Sequence, residues 1–476
     1  MIISRKVKIL IAIALIVTLA ATVYYYLQQS ELPTPLFDNV RWSPEIIRAD
    51  KPVTFNLTII HTGFFPASRE VKVYVSKYSY PGFSEPMLTG SFKISLNPHS
   101  SASYTYTWTP PEPGFYRLKF VIDGGGSLTQ LVYAASQTQT TSSFTFAVFG
   151  DNRPADGVQP QPEVFKEIAR EVRLIHPDFA VLVGDIIYGY RSDVPRLKMQ
   201  WSDFLSVYES FGVPIFVAPG NHEMQTEDAP ESGNIDAQRL YVMHLGRLYY
   251  AFAYGNSLFI VLDTDIVGSA AEISGEQLQW LKNMLKISRN FQHTFVFMHR
   301  PVVSYYGANI LNNHYEVLPL LLKYNVTAVF QGHNHVYYFE IVNGTRFYVT
   351  GGAGAPLYRT PSRGGVNHFL LVEVNGSRVE VKFVPPYSIK VQQSEDKITV
   401  EYTFTKPIYF EDKQNSWQAI PKPLILRGLY IDLSKPEIHV QGGKLIGKYE
   451  VNGKYRYYIE ATVYPGIQTT IQISDK

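Results

Sequence analysis

An α/β fold, in which one layered α/β core is flanked by two β-rich units, is what this sequence of 476 residues predicts. Between Phe144 and about Val384, short apolar runs alternate with stretches of helical periodicity, the pattern of strands and helices in layers. On either side, at 33–135 and 385–476, apolar and polar residues alternate instead, as in strands with one buried face. A polar stretch, AASQTQTTSS, lies before the core and reads as a linker over 136–143.

The first thirty residues carry an address. Arg5, Lys6 and Lys8 precede the almost wholly apolar stretch Ile9 to Leu27, near the roughly 20 residues that span a bilayer. The positive flank is expected to stay inside, and Tyr24, Tyr25 and Tyr26 would form an aromatic belt at the outer interface of a signal anchor. A cleaved signal peptide is the rival reading, because Thr18 and Ala20 suit the small positions before a cut. Under both readings the body of the chain is exported, either held at the outer face of the membrane or secreted. Asn56-Leu57-Thr58, Asn343-Gly344-Thr345 and Asn375-Gly376-Ser377 are then candidate glycosylation sequons.

Composition narrows the partners. The formal charge is only +2, and the basic residues form no stripe of the kind a nucleic-acid binder needs. Cysteine is absent, so any metal must be held by oxygen and nitrogen, without disulfides or thiolates. No oligomeric state is implied.

In the unit at 33–135, VTFNLTII, EVKVYVSK, ASYTYTW and FYRLKFVID alternate apolar with polar residues between turn-rich stretches such as HTGFFPAS. This is an Ig-like β-sandwich pattern, and it resembles the cell-adhesion-related β-sandwich modules of exported proteins. Its expected role is to space or dock the core. His61 and His99 read as surface or turn histidines.

The core, 144–384, supplies the chemistry. FTFAVFG, FAVLVGD, PIFVAPGNH, LFIVLD, TFVFMH, VTAVFQGH and FYVTGGAG are apolar runs, most of which end in glycine or a ligand-type side chain. Val164, Phe165, Ile168, Val172 and Ile175 mark one helix face, and Leu278, Leu281 and Leu285 another. Ligands of such sheets sit at the C-terminal strand ends. There the sequence places Asp151, Asp185, Asn221 with His222 and Glu223, His299, and His333 with His335. Carboxylate, amide and imidazole donors in this number suit two cations. One Asp can bridge a pair roughly 3.5–4 Å apart that activates a water and neutralises a phosphoryl group. Asp185 is the natural bridge.

The ordered set Asp151, Gly184-Asp185, Gly220-Asn221-His222-Glu223, Met298-His299 and Gly332-His333-Asn334-His335 resembles the calcineurin-like metallophosphoesterase superfamily. The resemblance covers about half the chain and implies a four-layer α/β/β/α core. By it, Asp185 bridges both metals, Asn221, His299 and His333 complete the second, and Asp151 and His335 bind the first. His222 would contact the phosphate or the leaving oxygen as acid or electrophilic stabiliser.

One position departs from the pattern. The superfamily commonly has Asp-x-His at the first motif, whereas Asp151 is followed by Asn152 and Arg153, and a guanidinium cannot ligate a metal. Tyr188 is the replacement candidate, because Gly184-Asp185-x-x-Tyr188 resembles the motif of purple acid phosphatases, in which the tyrosine ligates ferric iron. The implied cofactors are two metal ions, Fe with Fe, Zn or Mn. Arg153 either clamps the substrate phosphate or forms a salt bridge to an acid such as Asp156 or Glu223. His314, in SYYGANILNNHYE with Tyr305, Tyr306 and Asn312, is a candidate substrate contact at the rim. His176, His244, His293 and His368 read as packing or surface residues. Asp263 and Asp265 follow a strand but have no ligand role in the family.

Residues 385–476 read as a third small sandwich or an extension packed on the core. Taken together, the expectation is an exported dinuclear metal phosphohydrolase acting on a small phosphate ester. Phosphomonoester hydrolysis leads, with phosphodiester or nucleotide hydrolysis behind it. A surface binding or adhesion protein with a structural or degenerate metal site is the reading from a different class.

Overall fold

The computed structural model describes residues 14–18, 32–138, 141–227, 229–304, 310–411 and 415–475. Most of Ile9 to Leu27 lies outside them, as do Tyr305 and Tyr306 of the rim loop; residues 14–18 are helical. No helix among the described residues is long and apolar enough to cross a membrane.

The core is built from two sheets. The first takes β1 (Ser143–Phe149), β2 (Phe179–Leu182) and β3 (Ile215–Val217) as parallel neighbours. Two antiparallel strands at Phe369–Asn375 and Arg378–Val384 extend it beyond β1. In the second sheet, Ser257–Val261, His293–Phe297, Ala328–Gln331 and Thr345–Thr350 run parallel between two antiparallel edge strands. Phenylalanines fill the space between the sheets: the Phe146 ring lies 5.3 Å from Phe259 and 5.1 Å from Phe295.

Side chains alternate along a strand, so the next residues face outward, onto helices. Phe149 meets Phe165 of α1 (Glu163–Ile175), while Phe165 meets Phe204 of α2 (Val194–Ser210). On the far side, Ile260, Val296 and Val329 cluster with Leu278, Leu281 and Leu285 of the helix Gly275–Ile287. Helix, sheet, sheet, helix is therefore the layer order. The expected helix faces carry the packing: Phe165, Ile168, Val172 and Ile175 are all buried.

Two antiparallel sheets make up the N-terminal unit. One comprises Leu36–Ser43, Val53–His61 and Ser100–Trp108, and the other is centred on Ala67–Ser79 and Gly114–Ile122. It is docked on the core rather than merely spaced from it. Arg247 reaches Glu45 with two donors, at 2.9 and 3.0 Å, and lies over the Trp42 ring at 4.8 Å; Phe115 stacks on Tyr254. His61 is buried, contrary to the surface position expected for it, because both ring nitrogens have partners in Thr34 and Phe65.

The C-terminal residues form further antiparallel sheets, with Leu424–Leu433 packed on α1. Tyr80 donates to the Arg427 carbonyl at 2.6 Å, so the N-terminal unit also touches this last unit.

Candidate metal centre

Each candidate ligand is delivered by a turn at the end of a parallel strand. Asp151, Asp185 and His333 all have left-handed backbones, with φ of 57°, 54° and 68°, a conformation that is uncommon outside glycine and is found at functional sites. The turn swings each side chain from the strand direction across the sheet edge. Gly184 makes the crossing possible: with φ of 88°, a Cβ there would lie 2.7 Å from His299 Nδ1 and 2.8 Å from the Gly220 Cα.

Two groups of ligand atoms result. Asp185, His299 and His333 converge in one, Asp151, Asp185 and His335 in the other, and within each group the atoms lie within 4.8 Å of one another. Asp185 belongs to both. Its Oδ1 is 3.1 Å from His299 Nε2. Asn221 Oδ1 joins the first group, 2.9 Å from both His299 Nε2 and His333 Nδ1.

Backbone carbonyls set the ring orientations. His299 Nδ1 donates to the Val183 carbonyl at 2.8 Å, and His335 Nδ1 to that of Pro356 at 2.6 Å. A neutral imidazole held this way presents Nε2 as a lone-pair donor. His335 Nε2 is buried, has no hydrogen-bond partner and lies 3.3 Å from Asp151 Oδ1. An orphaned imidazole nitrogen beside a carboxylate fits a cation. Burial disfavours charge on His299, yet Asp185 beside it more than compensates and raises it to about 10.

The remaining predicted residues fall around these groups. His222 donates from Nδ1 to the Tyr188 carbonyl, leaving Nε2 3.7 Å from Asp185 Oδ2. Its burial lowers its pKa to about 4. Arg153 lies with Nε 3.6 Å from Asp185 Oδ2. Its carboxylate neighbour is therefore Asp185 rather than Asp156 or Glu223: Asp156 is occupied by Val158 and Gln159, and Glu223 by backbone donors. Tyr188 lines the same pocket of about 430 Å³, its ring 5.8 Å from that of His222. His314 is not among the lining residues. It starts the helix His314–Lys323, with Nδ1 on the Leu311 carbonyl at 3.0 Å, so one ring nitrogen is used locally.

Sequence reading assigned no part to Tyr190, Arg300 and Tyr358, and gave Glu223 only a place in a motif and a possible salt bridge to Arg153. Glu223 accepts from the backbone N–H groups of Asp185 and Gly220 at Oε2, and of Ile186 and Ile187 at Oε1. Tyr190 accepts from Asn221 Nδ2, which turns Oδ1 toward the histidines, and its ring lies 4.2 Å from that of His222. Arg300 lines the pocket and donates from Nε to Asp265 at 2.8 Å; Asp265, without a ligand role, thereby has a supporting one. Tyr358 stacks on His335 at 4.0 Å and lines the pocket with Arg153. Of these, Glu223 belongs to a quoted motif and Arg300 adjoins His299 of another, a signal that could have singled them out. Tyr358 has no such signal.

Residues 144–337 match the model of the calcineurin-like phosphoesterases. The chain is 27% identical over 268 residues to tartrate-resistant acid phosphatase type 5 of Rattus norvegicus, covering 48% of this chain and 78% of that one. With the Homo sapiens protein of the same description it shares 28% over 219 residues, covering 40% and 65%. A solved dimetal phosphatase from Danio rerio aligns with 59% of this chain and 99% of its own at 15% identity and a TM-score of 0.39.

Proposed function

With residues 144–337 forming a calcineurin-like phosphoesterase domain, we propose that this phosphate-ester hydrolase is an exported phosphomonoesterase with a two-metal site containing iron. The observation that carries the two-metal reading is the membership of Asp185 in both ligand groups. Asp185 would bridge; Asn221, His299 and His333 would hold one cation, and Asp151, His335 and Tyr188 the other. Two bound cations supply an activated water and neutralise charge on the phosphoryl group.

The chain's own residues do the rest. Arg153 Nε is buried without a hydrogen-bond acceptor, and a phosphate oxygen is an acceptor that guanidinium geometry suits. His222 faces the pocket through Nε2 and would donate to the leaving oxygen only when protonated. Burial holds its pKa near 4, so the acid form of His222 belongs to low pH. This supports an acid phosphatase, in keeping with the described activity of the similar mammalian proteins. Asn221 contributes a neutral oxygen and leaves room for the substrate's charge.

One experiment ranks the alternatives. A monoester and a diester are assayed across pH, with metal content measured on the same sample. Preferential monoester turnover that rises on acidification is expected, and diesterase activity alone would overturn the ranking. Two bound metals with no turnover of either ester would favour the binding-protein reading. For the iron, a tyrosinate ligand should give a visible charge-transfer band, and a Tyr188→Phe protein that keeps colour and metal content removes Tyr188 from the site.

A further inference from the structure

The loop between Val53–His61 and Ala67–Ser79 ends the N-terminal sandwich in two phenylalanines. Phe64 is 81% exposed and Phe65 82%, more than any other large apolar side chain among the described residues. Such side chains normally add to a core, and an adjacent exposed pair marks an interaction surface.

Three observations say what covers the pair. The first is position. Thr34, where the chain enters the sandwich, has its Oγ1 3.0 Å from His61 Nδ1 and accepts from the Thr62 N–H at 3.0 Å, so the phenylalanine loop sits beside the entry point. The stretch from Leu27, the last residue of the apolar N-terminal segment, to Thr34 can span at most about 25 Å, at roughly 3.5 Å per residue. If that segment is anchored in a bilayer, the loop is held close to the lipid surface.

The second is preorganisation. His61 Nε2 donates to the Phe65 carbonyl at 2.6 Å, and the His99 ring meets the Phe64 ring edge-on at 5.1 Å. The aromatic pair is thus presented in a fixed shape, and little ordering entropy opposes insertion. The third is charge. The loop, Thr62 to Pro66, contains no acidic residue, and of the two charged residues that follow it in the strand Arg69 is exposed and Glu70 half-buried, a balance compatible with anionic headgroups.

We propose that Phe64 and Phe65 form a wedge that dips into the lipid surface beside the N-terminal anchor and fixes how the exported body sits on the membrane. The proposal rests on the anchor reading of residues 9–27 and is independent of the chemistry at the metal centre.

The absence of cysteine from the chain makes the test direct. Phe65→Cys, labelled with a nitroxide, is prepared in the full chain and reconstituted into vesicles of phosphatidylcholine and phosphatidylglycerol. Lys51→Cys is the control, at the opposite end of the strand Val53–His61, roughly 30 Å away at 3.4 Å per residue. The expected result is relaxation of the position-65 label mainly by oxygen dissolved in the bilayer, and of the position-51 label mainly by a water-soluble nickel chelate. Equal aqueous accessibility at both positions overturns the wedge, as does a position-65 label shielded from both relaxants, which would indicate a protein partner. A chain that washes off the vesicles overturns the anchor reading and the wedge with it. Phosphatase turnover in the same samples reports the metal site separately.

Discussion

Replacing Glu223 with Gln tests how Asp185 is held. The two carboxylate oxygens face four backbone donors: Asp185 at 3.0 Å, Gly220 at 2.8 Å, Ile186 at 2.7 Å and Ile187 at 3.1 Å. Burial and the neighbouring Asp185 charge raise the Glu223 pKa to about 7, but donors surround both oxygens, so the ionised form is the one the geometry fits. Gln keeps the shape but turns one oxygen into an NH2 group. Whichever oxygen is lost, two N–H groups are left facing a donor. At about 1–3 kcal/mol for each buried group left unsatisfied, the cost is about 2–6 kcal/mol, concentrated on the turn that carries the bridging carboxylate. Thermal unfolding of the metal-depleted chain, paired with metal titration, measures both consequences. A Glu223→Gln protein with an unchanged core transition and unchanged metal uptake would refute the reasoning.

The other predictions follow from neighbouring contacts. Asp185→Asn should lower the content of both metals together, whereas His335→Ala should spare the group around Asn221; turnover of Asp185→Asn should fall further than the roughly 10–100-fold typical of supporting residues, as metal analysis and kinetics will show. Tyr190→Phe leaves Asn221 Nδ2 without its acceptor and the Thr226 carbonyl without its donor and should weaken metal binding roughly 10–100-fold, with a lower melting temperature from two groups left unsatisfied at about 1–3 kcal/mol each. Glu171 is buried against the C-terminal unit, with Oε1 accepting from the Ile389 N–H and Oε2 unpartnered, and burial raises its pKa from 4.5 to about 8. The folded state therefore keeps a proton that the unfolded chain releases, and stability should fall as pH rises from about 4.5 to 8. At roughly 1.4 kcal/mol per pH unit the ceiling is about 5 kcal/mol. Glu171→Gln should flatten that slope in melting curves taken across pH.

Much of the site was legible because its ligands end strands. A run of apolar residues closing on Gly-Asp, Gly-Asn-His or Gly-His states both a sheet position and a donor. The layer order was legible from the same alternation. The supporting residues were hidden for a physical reason: their partners are distant in sequence, and their roles arise from atoms other than those a motif names. Glu223 acts on the backbone of Asp185 rather than on a metal or substrate. Tyr190 determines which end of the Asn221 amide faces inward, a choice that the identity of Asn221 leaves open. His314 shows another thing the sequence leaves open: its place in a long loop suggested a rim contact, and the fold sets its ring at the start of a helix, on the Leu311 carbonyl.

Arg153 is where these strands of evidence meet. A guanidinium in place of an imidazole removes a ligand and adds a positive charge beside Asp185, the carboxylate both cations would share. Such a charge would oppose metal binding if it stayed directed at Asp185. Two contacts indicate a different balance. Nε stands 3.6 Å from Asp185 Oδ2, beyond hydrogen-bond length, and is without an acceptor, while Nη1 of the same guanidinium donates to the Pro154 carbonyl at 3.1 Å. Arg153 is therefore held beside the centre as an ion-pair partner of Asp185 whose Nε donor is still unused. On the proposed reading, its unused donor would be satisfied when a phosphate enters, so this position would contribute to holding substrate rather than metal, and the first cation would need another oxygen donor, the part proposed for Tyr188.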